Sequence, residues 1–308
     1  MPPKISVCIP VKNGGAFLPL AVESVLPQAR EDVELVIVDN CSTDGTAAWI
    51  EQKAANEPRL RFHRNPVDIG MTANFNACLK RASGQYVTFL CADDLLLPES
   101  LQQLSRALDR NPRAIMAVGG RRVIDDNGAT LGTQRYAGTD VTLPGRQVIN
   151  RCIFGANYIG EPSAVMFRRD MAQRGFRETL SQLMDLEMWF YLLEQGDMAN
   201  LAQEVCAVRR HSGQLTQESI RTGALIEENV ILFEEYGNKP YIARTLLNET
   251  MRKIRMAHRV WMCRDSLSAG RRNQILSSQS SKLLYFLMMP AFASLLPAWR
   301  KIAAAVRA

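Results

Sequence analysis

The sequence predicts an α/β protein built on a doubly wound, mostly parallel sheet, with a helical extension at its carboxyl end. Three observations carry this. Short apolar runs rich in β-branched residues, among them Ile5 to Val11, Val33 to Val38 and Tyr86 to Leu90, suit strands covered on both faces. Stretches of helical length lie between them, so strands and helices alternate. Acids stand where strand runs finish, at Asp39 and at the adjacent Asp93 and Asp94. In an open α/β sheet that is where ligands bind.

Taken in order, Ile5 to Val11 leads through K-N-G-G into a helix from about Phe17 to Leu26. The spacing is not G-x-G-x-x-G, which argues against a dehydrogenase-type dinucleotide fold, and no G-x-x-x-x-G-K-[ST] phosphate loop occurs. Val33 to Val38 ends in D-N-C-S-T-D-G-T, where Ser42, Thr43 and Asp44 suit a capped turn and Gly45 permits unusual backbone angles. A helix from Ala47 to Ala55, a strand from Arg59 to His63 and a helix from Met71 to Ala82 follow, the last stopped by Gly84. After the strand at Tyr86, Pro98 opens a helix to Asp109 with Glu99 in its first turn. Ala114 to Gly119 is a further strand, and R-V-I-D-D-N-G-A-T-L reads as a hairpin about Asn127-Gly128. Gly132 to Asn157 reads as specificity loops.

A chain of 308 residues has room for a large domain and an appendage, placed here at 1–220 and 221–308. Its net charge of +6 is unevenly spread. From Lys239 onward 13 Lys and Arg face only Glu249 and Asp265, whereas residues 1–238 carry a net −5. The basic tail points towards an anionic surface. Seven cysteines without C-x-x-C or zinc spacing read as reduced, mostly buried thiols of a cytoplasmic protein. The amino terminus enters a strand at once, with no signal peptide expected.

Two neighbouring carboxylates at a strand's end repel each other, a cost usually met by a cation or a hydrogen-bonding ligand. The bland alternative makes Asp94 a helix cap and Asp93 a solvated loop residue. At Asp39 a carboxylate can accept an N–H from a ligand base or bond ribose hydroxyls.

The ordered motifs S-V-C-I-P-V-K-N-G-G, V-I-V-D-N-C-S-T-D-G-T, G-M-T-A-N-F-N-A-C-L-K-R-A-S-G-Q-Y-V, the D-D loop, E-P-S-A-V-M-F-R-R, M-D-L-E-M-W and V-R-R-H-S-G resemble those of inverting glycosyltransferases of family 2, which have the A-type glycosyltransferase fold. The resemblance covers roughly residues 4 to 215. It implies that Pro10, Asn13 and Asp39 surround the nucleotide of a nucleotide-sugar donor, commonly a UDP-sugar, with Asp39 facing the base. It implies that Asp93 is the last acid of a D-x-D metal motif, helped by Asp94, holding Mg²⁺ or Mn²⁺. Cys91 replaces the first acid, and a thiol is a poor ligand for hard cations. Asn74 and Asn76 match related N-x-N sequences. Asp185 aligns with the catalytic base, although Met184 stands where a Glu is usual. Such a base is required because an acceptor hydroxyl must lose its proton as it attacks. On a helix expected from Leu180 to Leu193, Asp185 and Trp189 share a face. Glu187 is the alternative base, and a purely structural Asp185 at the helix start stays open. Glu161, Glu187 and Trp189 are assigned to the acceptor side. His211 matches a position that reaches metal or diphosphate in some members, with Arg209 and Arg210 beside it suited to phosphate.

The tail reads as helices from Glu227 to Tyr236 and from Tyr241 to Asp265, the second basic and amphipathic. Leu283 to Trp299 is uncharged but interrupted by Pro290 and Pro297, and too short to span a bilayer. It reads as lying in a membrane surface, with Tyr285 and Trp299 at headgroup level, or as packing on the catalytic domain or a second subunit of a homo-oligomer. The expectation is therefore a peripheral enzyme on the cytoplasmic face of the plasma membrane. It would glycosylate a saccharide acceptor, such as a polyprenyl-diphosphate-linked one, in polysaccharide assembly. The alternative is a catalytically silent subunit that binds sugar nucleotides, since Cys91 and Met184 replace acids. A nucleic-acid partner is not expected, because no RNA or DNA motif is present.

Overall fold

The computed structural model describes residues 3–211, 224–264, 267–279, 281–283 and 285–286. The chain divides into two compact units, Met1–Val148 with Ile159–Arg210, and Ile149–Tyr158 with His211–Ala308.

The first unit holds the sheet. Its strands are β1 (Ile5–Val11), β2 (Val33–Asp39), β3 (Leu60–Arg64), β4 (Tyr86–Phe89), β5 (Leu95–Leu96), β6 (Ala114–Ile124), β7 (Thr130–Gln134), β8 (Val141–Leu143), β9 (Val165–Arg168) and β10 (Asp197–Arg209). They lie in the order β3-β2-β1-β4-β9-β6-β10-β5, with β7 on β6 and β8 on β10. β3, β2, β1 and β4 are parallel, as are β6 and β10. β9 is inserted antiparallel between β4 and β6, and β5 closes antiparallel on β10. This is the doubly wound, mostly parallel sheet expected. Its helices are α1 (Phe17–Val25), α2 (Thr46–Ala54), α3 (Met71–Arg81), α4 (Ser100–Arg110) and α6 (Met184–Leu193), while α5 (Gly145–Phe154) starts in it and belongs to the second unit from Ile149 on. β1 and β2 are buried along nearly their whole length, as strands with helices on both faces must be.

Packing fixes the parts that matter later. Leu18, Val22 and Val25 of α1, Ile50 of α2 and Leu101, Leu104 and Leu108 of α4 join Val7, Ile9, Leu35 and Ile37 in one core. A separate aromatic stack of Phe75, Phe89, Phe167, Phe176 and Trp189 ties α3, β4, β9 and α6 together. Under the first turn of β1, Glu34 is buried yet accepts Ser6 Oγ at 2.6 Å, Ser83 N at 2.7 Å, Ser83 Oγ at 2.8 Å and Arg61 Nη1 at 2.9 Å. Burial acts to raise its pKa, but these donors outweigh it and hold the carboxyl below its ordinary value.

Several element boundaries differ from the sequence expectation. Pro98 and Glu99 do not lie in the helix: Glu99 takes a left-handed φ of 65° and α4 starts at Ser100. The expected helix from Leu180 starts at Met184, because Leu180 closes a turn on Arg177 O (3.0 Å) and its own carbonyl is taken by Thr72 Oγ1 (2.7 Å). The Gly132 to Asn157 loop region contains the end of β7, β8 and all of α5. Gly45 has an ordinary φ of −74°, and the left-handed residue of that loop is Cys41 at 58°. The Asn127-Gly128 hairpin is as read, with Ile124 opposite Thr130 and Gly128 at a φ of 85°.

The second unit is helical, with α7 (Ala224–Tyr236), α8 (Leu246–Met262) and α9 (Ala269–Ser278). α8 starts five residues later than expected because Thr245 caps it, its hydroxyl accepting Asn248 N at 3.1 Å. Ile226, Met256, Ala257, Val260, Trp261 and Ile275 form its core. Not all of the basic charge faces outward: Arg252 is buried, bonded to Gln279 and Glu249, with its guanidinium 4.1 Å from the Phe233 ring centre. Among the described residues no helix is long and apolar enough to cross a membrane. Of the stretch Leu283 to Trp299, the residues from 287 on lie outside the described residues, Pro290, Pro297 and Trp299 among them. Five of the seven cysteines are buried and all are free.

Gly84 sits where the chain returns to the sheet, its N–H donating to Ser6 Oγ at 2.8 Å. A Cβ there would lie 2.7 Å from the Ser6 backbone nitrogen. Gly84→Ala is therefore expected to lower stability by about 1–3 kcal/mol in urea unfolding. Gly138→Ala, with nothing within 4 Å of the added carbon, should stay within about 0.5 kcal/mol of the parent.

Candidate active site

Parallel register brings the first group of residues to one level: Val11 of β1 pairs with Asp39 of β2, which pairs with Arg64 of β3. Asp39 is fully buried. Its oxygens accept the Ser42 N–H at 3.2 Å and the Ser42 hydroxyl, and Arg64 Nε lies 3.2 Å from Oδ2. Asn13, left-handed at φ 52°, stitches the β1 loop to the β2 loop: its N–H donates to Ser42 Oγ at 2.7 Å and its Oδ1 accepts Thr43 N at 2.9 Å. Pro10 stands opposite Val38 in the ladder. Below them runs a buried amide chain. Asn65 Nδ2 donates to Asn40 Oδ1 (3.1 Å) and Asn74 Oδ1 (3.0 Å), and Asn74 Nδ2 donates to Val38 O (3.1 Å). Asn40 Nδ2 reaches Asp68, which also pairs with Lys12 at 2.6 Å. Sequence reasoning missed Arg64 as a partner of Asp39 and missed the amide chain, because nothing in the spacing of these residues joins them.

The second group follows β4. Leu90 N still reaches Cys8 O at 2.9 Å, and the chain then turns, with Asp94 N donating to Cys91 O at 3.0 Å. The Cys91 thiol and the Asp93 and Asp94 carboxylates lie within 4.8 Å of one another. Asp94 caps no helix, since β5 intervenes before α4, which removes the helix-cap part of the bland reading. It is 3% exposed. Its Oδ2 accepts the Ser163 hydroxyl at 2.6 Å and its Oδ1 the Arg209 N–H at 3.0 Å. Burial and the Asp93 charge push its pKa well above the ordinary carboxylate range. Burial and the nearby acids likewise raise the Cys91 thiol, so it stays protonated at neutral pH. Arg209 is not turned to a phosphate: it is buried, and its guanidinium donates to the carbonyls of Asp93 (3.0 Å), Asp125 (2.9 Å) and Asp126 (3.0 Å).

The third group surrounds Glu161, whose carboxylate lies between Arg210 Nη2 at 2.5 Å and Arg121 Nη1 at 3.2 Å. Trp189 is fully buried, its Nε1 donating to Gly160 O at 3.2 Å, so it anchors α6 to this segment and presents no face to a ligand. Glu187 is also fully buried, both oxygens held by Arg174 at 2.7 and 2.6 Å. A carboxylate in such a bidentate pair is a structural anchor, which disfavours Glu187 as base or acceptor contact. Asp185 is partly exposed in the first turn of α6, its Oδ1 accepting Leu186 N at 2.6 Å. His211 belongs to the second unit, and Ser212 and Gly213 of its motif lie outside the described residues.

A family model described as glycosyl transferase family 2 matches residues 6–176. The chain belongs to this family. An uncharacterized protein of Mycobacterium tuberculosis is 37% identical over 222 residues, 68% of this chain and 68% of that protein. TuaG of Bacillus subtilis, named for teichuronic acid biosynthesis, is 28% identical over 209 residues, 68% and 79% of the two chains. Among solved structures, S. aureus TarS in complex with UDP-GlcNAc has a TM-score of 0.57 at 19% identity, covering 98% of this chain and 79% of TarS. A mannosyltransferase of Pyrobaculum calidifontis in complex with GDP-Man and Mn²⁺ has a TM-score of 0.61 at 17% identity, covering 100% and 87%. These two share the fold, and this family 2 glycosyltransferase has the A-type architecture.

That fold implies a divalent cation, and the donors here fit a hard one. Asp93 offers a carboxylate beside a second acid, while the soft thiol of Cys91 is a poor ligand for a hard cation. One carboxylate with phosphate oxygens and water is a usual shell for such an ion.

Glu161 supplies a pH test. Burial acts to raise its pKa, but Arg121 and Arg210 overcome it and hold it below its ordinary value. A carboxyl depressed on folding stabilises the fold above its unfolded pKa, and this is lost as pH falls through the folded value. Glu161→Gln should therefore be less stable than the parent at pH 7, and the gap in melting temperature should close below about pH 4.3, the ordinary Glu value. A gap that widens in acid contradicts the assignment.

Proposed function

We propose that this enzyme transfers a sugar, with inversion, from a UDP-sugar to a hydroxyl of a saccharide acceptor during assembly of a surface polysaccharide, the acceptor being carried on a polyprenyl diphosphate. The observation that carries the donor side is the cluster of Cys91, Asp93 and Asp94 at the end of β4, on the same edge of the parallel strands as the buried Asp39. The UDP-GlcNAc complex of TarS and the pathway named for TuaG support the choice of donor and product class.

In this reading Pro10, Asn13 and Asp39 surround the nucleotide, with Asp39 offering remaining lone pairs to an N–H of the base. Asp93 would hold the Mg²⁺ or Mn²⁺. The bound cation would offset charge developing on the leaving diphosphate. Asp185 accepts the acceptor's hydroxyl proton as that oxygen forms its bond to the anomeric carbon. The bond from that carbon to the diphosphate breaks, and its electron pair leaves on the nucleoside diphosphate. Attack from the opposite face inverts the centre. Glu161, with its two arginines, stands on the acceptor side.

Asp185→Asn should lower turnover by at least about 100-fold while UDP still raises the melting temperature. Retained turnover would remove Asp185 as base. A catalytically silent subunit that binds sugar nucleotides is the second reading, favoured by Cys91 and Met184 standing where the family pattern has acids. It wins if the parent shifts in melting temperature with UDP-sugars and Mn²⁺ but turns none of them over.

The basic second unit is proposed to hold the enzyme on the anionic cytoplasmic face of the membrane. Flotation with vesicles containing phosphatidylglycerol should recover the full chain and fail for a chain truncated at 270. Equal recovery contradicts the membrane reading.

A further inference from the structure

Beyond the end of β4 at Phe89 the acid loop has no ladder partner that would fix its course. Groups just ahead of β9 and at the end of β10 bond to it. The Ser163 hydroxyl, just ahead of β9, accepts Cys91 N at 3.1 Å and donates to Asp94 Oδ2 at 2.6 Å. From the end of β10, the Arg209 N–H donates to Asp94 Oδ1 at 3.0 Å and its Nε to Asp93 O at 3.0 Å. Ser163 is fully buried and Asp94 nearly so. Each Asp94 oxygen therefore already accepts a donor from the protein, whereas Asp93 beside it is only partly buried.

We propose that Asp94 and Ser163 are positioning residues that act as one unit, fixing the Cys91–Asp94 loop so that Asp93 alone presents its carboxylate to the cation and diphosphate. The assignment deepens the reading of the donor site and rests on it. It also gives the loop a second connection. Glu161, two residues before Ser163, pairs with Arg210, next to Arg209. The same two strand ends that hold the donor loop therefore carry the acceptor-side ion pair. The donor loop and the Glu161 segment are held as one piece, so disturbing Ser163 reaches both.

Two measurements on the full-length chain test this. Hydrogen exchange without ligand reads the loop directly and needs no cation. Ser163→Ala and Asp94→Asn should each speed exchange of the Cys91–Asp94 amides while Asp93→Asn leaves it at the parent rate. Mn²⁺-dependent UDP binding, by titration calorimetry, reads the consequence. Loss of an outer partner typically costs about 10-fold or more in metal affinity. Ser163→Ala and Asp94→Asn should each weaken binding by about 10-fold, and the double variant no further, because one unit has been broken. Asp93→Asn should abolish the Mn²⁺ dependence. Melting temperatures within a few degrees of the parent confirm that each variant is folded.

Binding by Ser163→Ala equal to the parent overturns the proposal, as does an Asp94→Asn loss as complete as that of Asp93→Asn. So does a double variant weaker by the product of the single effects. If exchange changes as expected but Asp93→Asn keeps full Mn²⁺ dependence, the unit stands as a loop clamp, its presentation of Asp93 is overturned, and the cation assignment fails separately.

Discussion

The structure depends on a directional constraint. β3, β2, β1 and β4 run parallel, so their carboxyl ends share one edge and every loop that follows them must leave from it. Val11, Asp39 and Arg64 stand at the same level only because each pair is in register. A slip of one residue between β1 and β2 would turn Asp39 to the opposite face and exchange the buried side chains of the whole strand. Burial on both faces penalises that slip, and so the apolar core that stabilises the sheet also fixes where the polar groups gather.

Placing acids at such an edge creates an electrostatic problem, and the chain meets it in different ways. Asp39 is given a cation and local donors, through Arg64 and Ser42. Glu161 is given two arginines. Asp94 receives neutral donors from Ser163 and a backbone N–H, one on each oxygen. Burial first, and the neighbouring Asp93 charge second, raise its pKa. A cation bound beside the two acids would offset their mutual repulsion.

How much of this was legible in the sequence follows from how local each cause is. The strands at Val33 and Tyr86 and the hairpin at Asn127-Gly128 follow from short-range pattern and turn chemistry, and the structure has them. Helix starts were misplaced where a distant partner decided them. α6 begins at Met184 because Thr72, more than a hundred positions away, holds the Leu180 carbonyl. The antiparallel insertion of β9 between β4 and β6 leaves no trace in the alternation of elements. Arg209 read as a phosphate ligand because a surface arginine and a buried one look alike in sequence. Its three carbonyl partners lie in loops roughly 80 to 115 positions back. Unusual backbone angles are expected at Gly45, the residue that tolerates them at no cost, but the left-handed residue of the loop is Cys41.

α6 shows how local geometry then separates two acids that sequence could not tell apart. Asp185 and Glu187 are two positions apart, and two steps of about 100° place them on nearly opposite sides of a helix. The side carrying Glu187 is turned into the unit, where Arg174 takes both of its oxygens and stacks on Tyr191 at 4.0 Å. The bidentate pair commits both Glu187 oxygens to Arg174, whose own side chain is 35% exposed. Asp185 keeps partial exposure, and α6 is pinned below it by Trp189 between Phe167, Phe176 and the Gly160 carbonyl. The helix thus commits the carboxylate of Glu187 to holding its own position and leaves that of Asp185, about half a turn away, partly exposed.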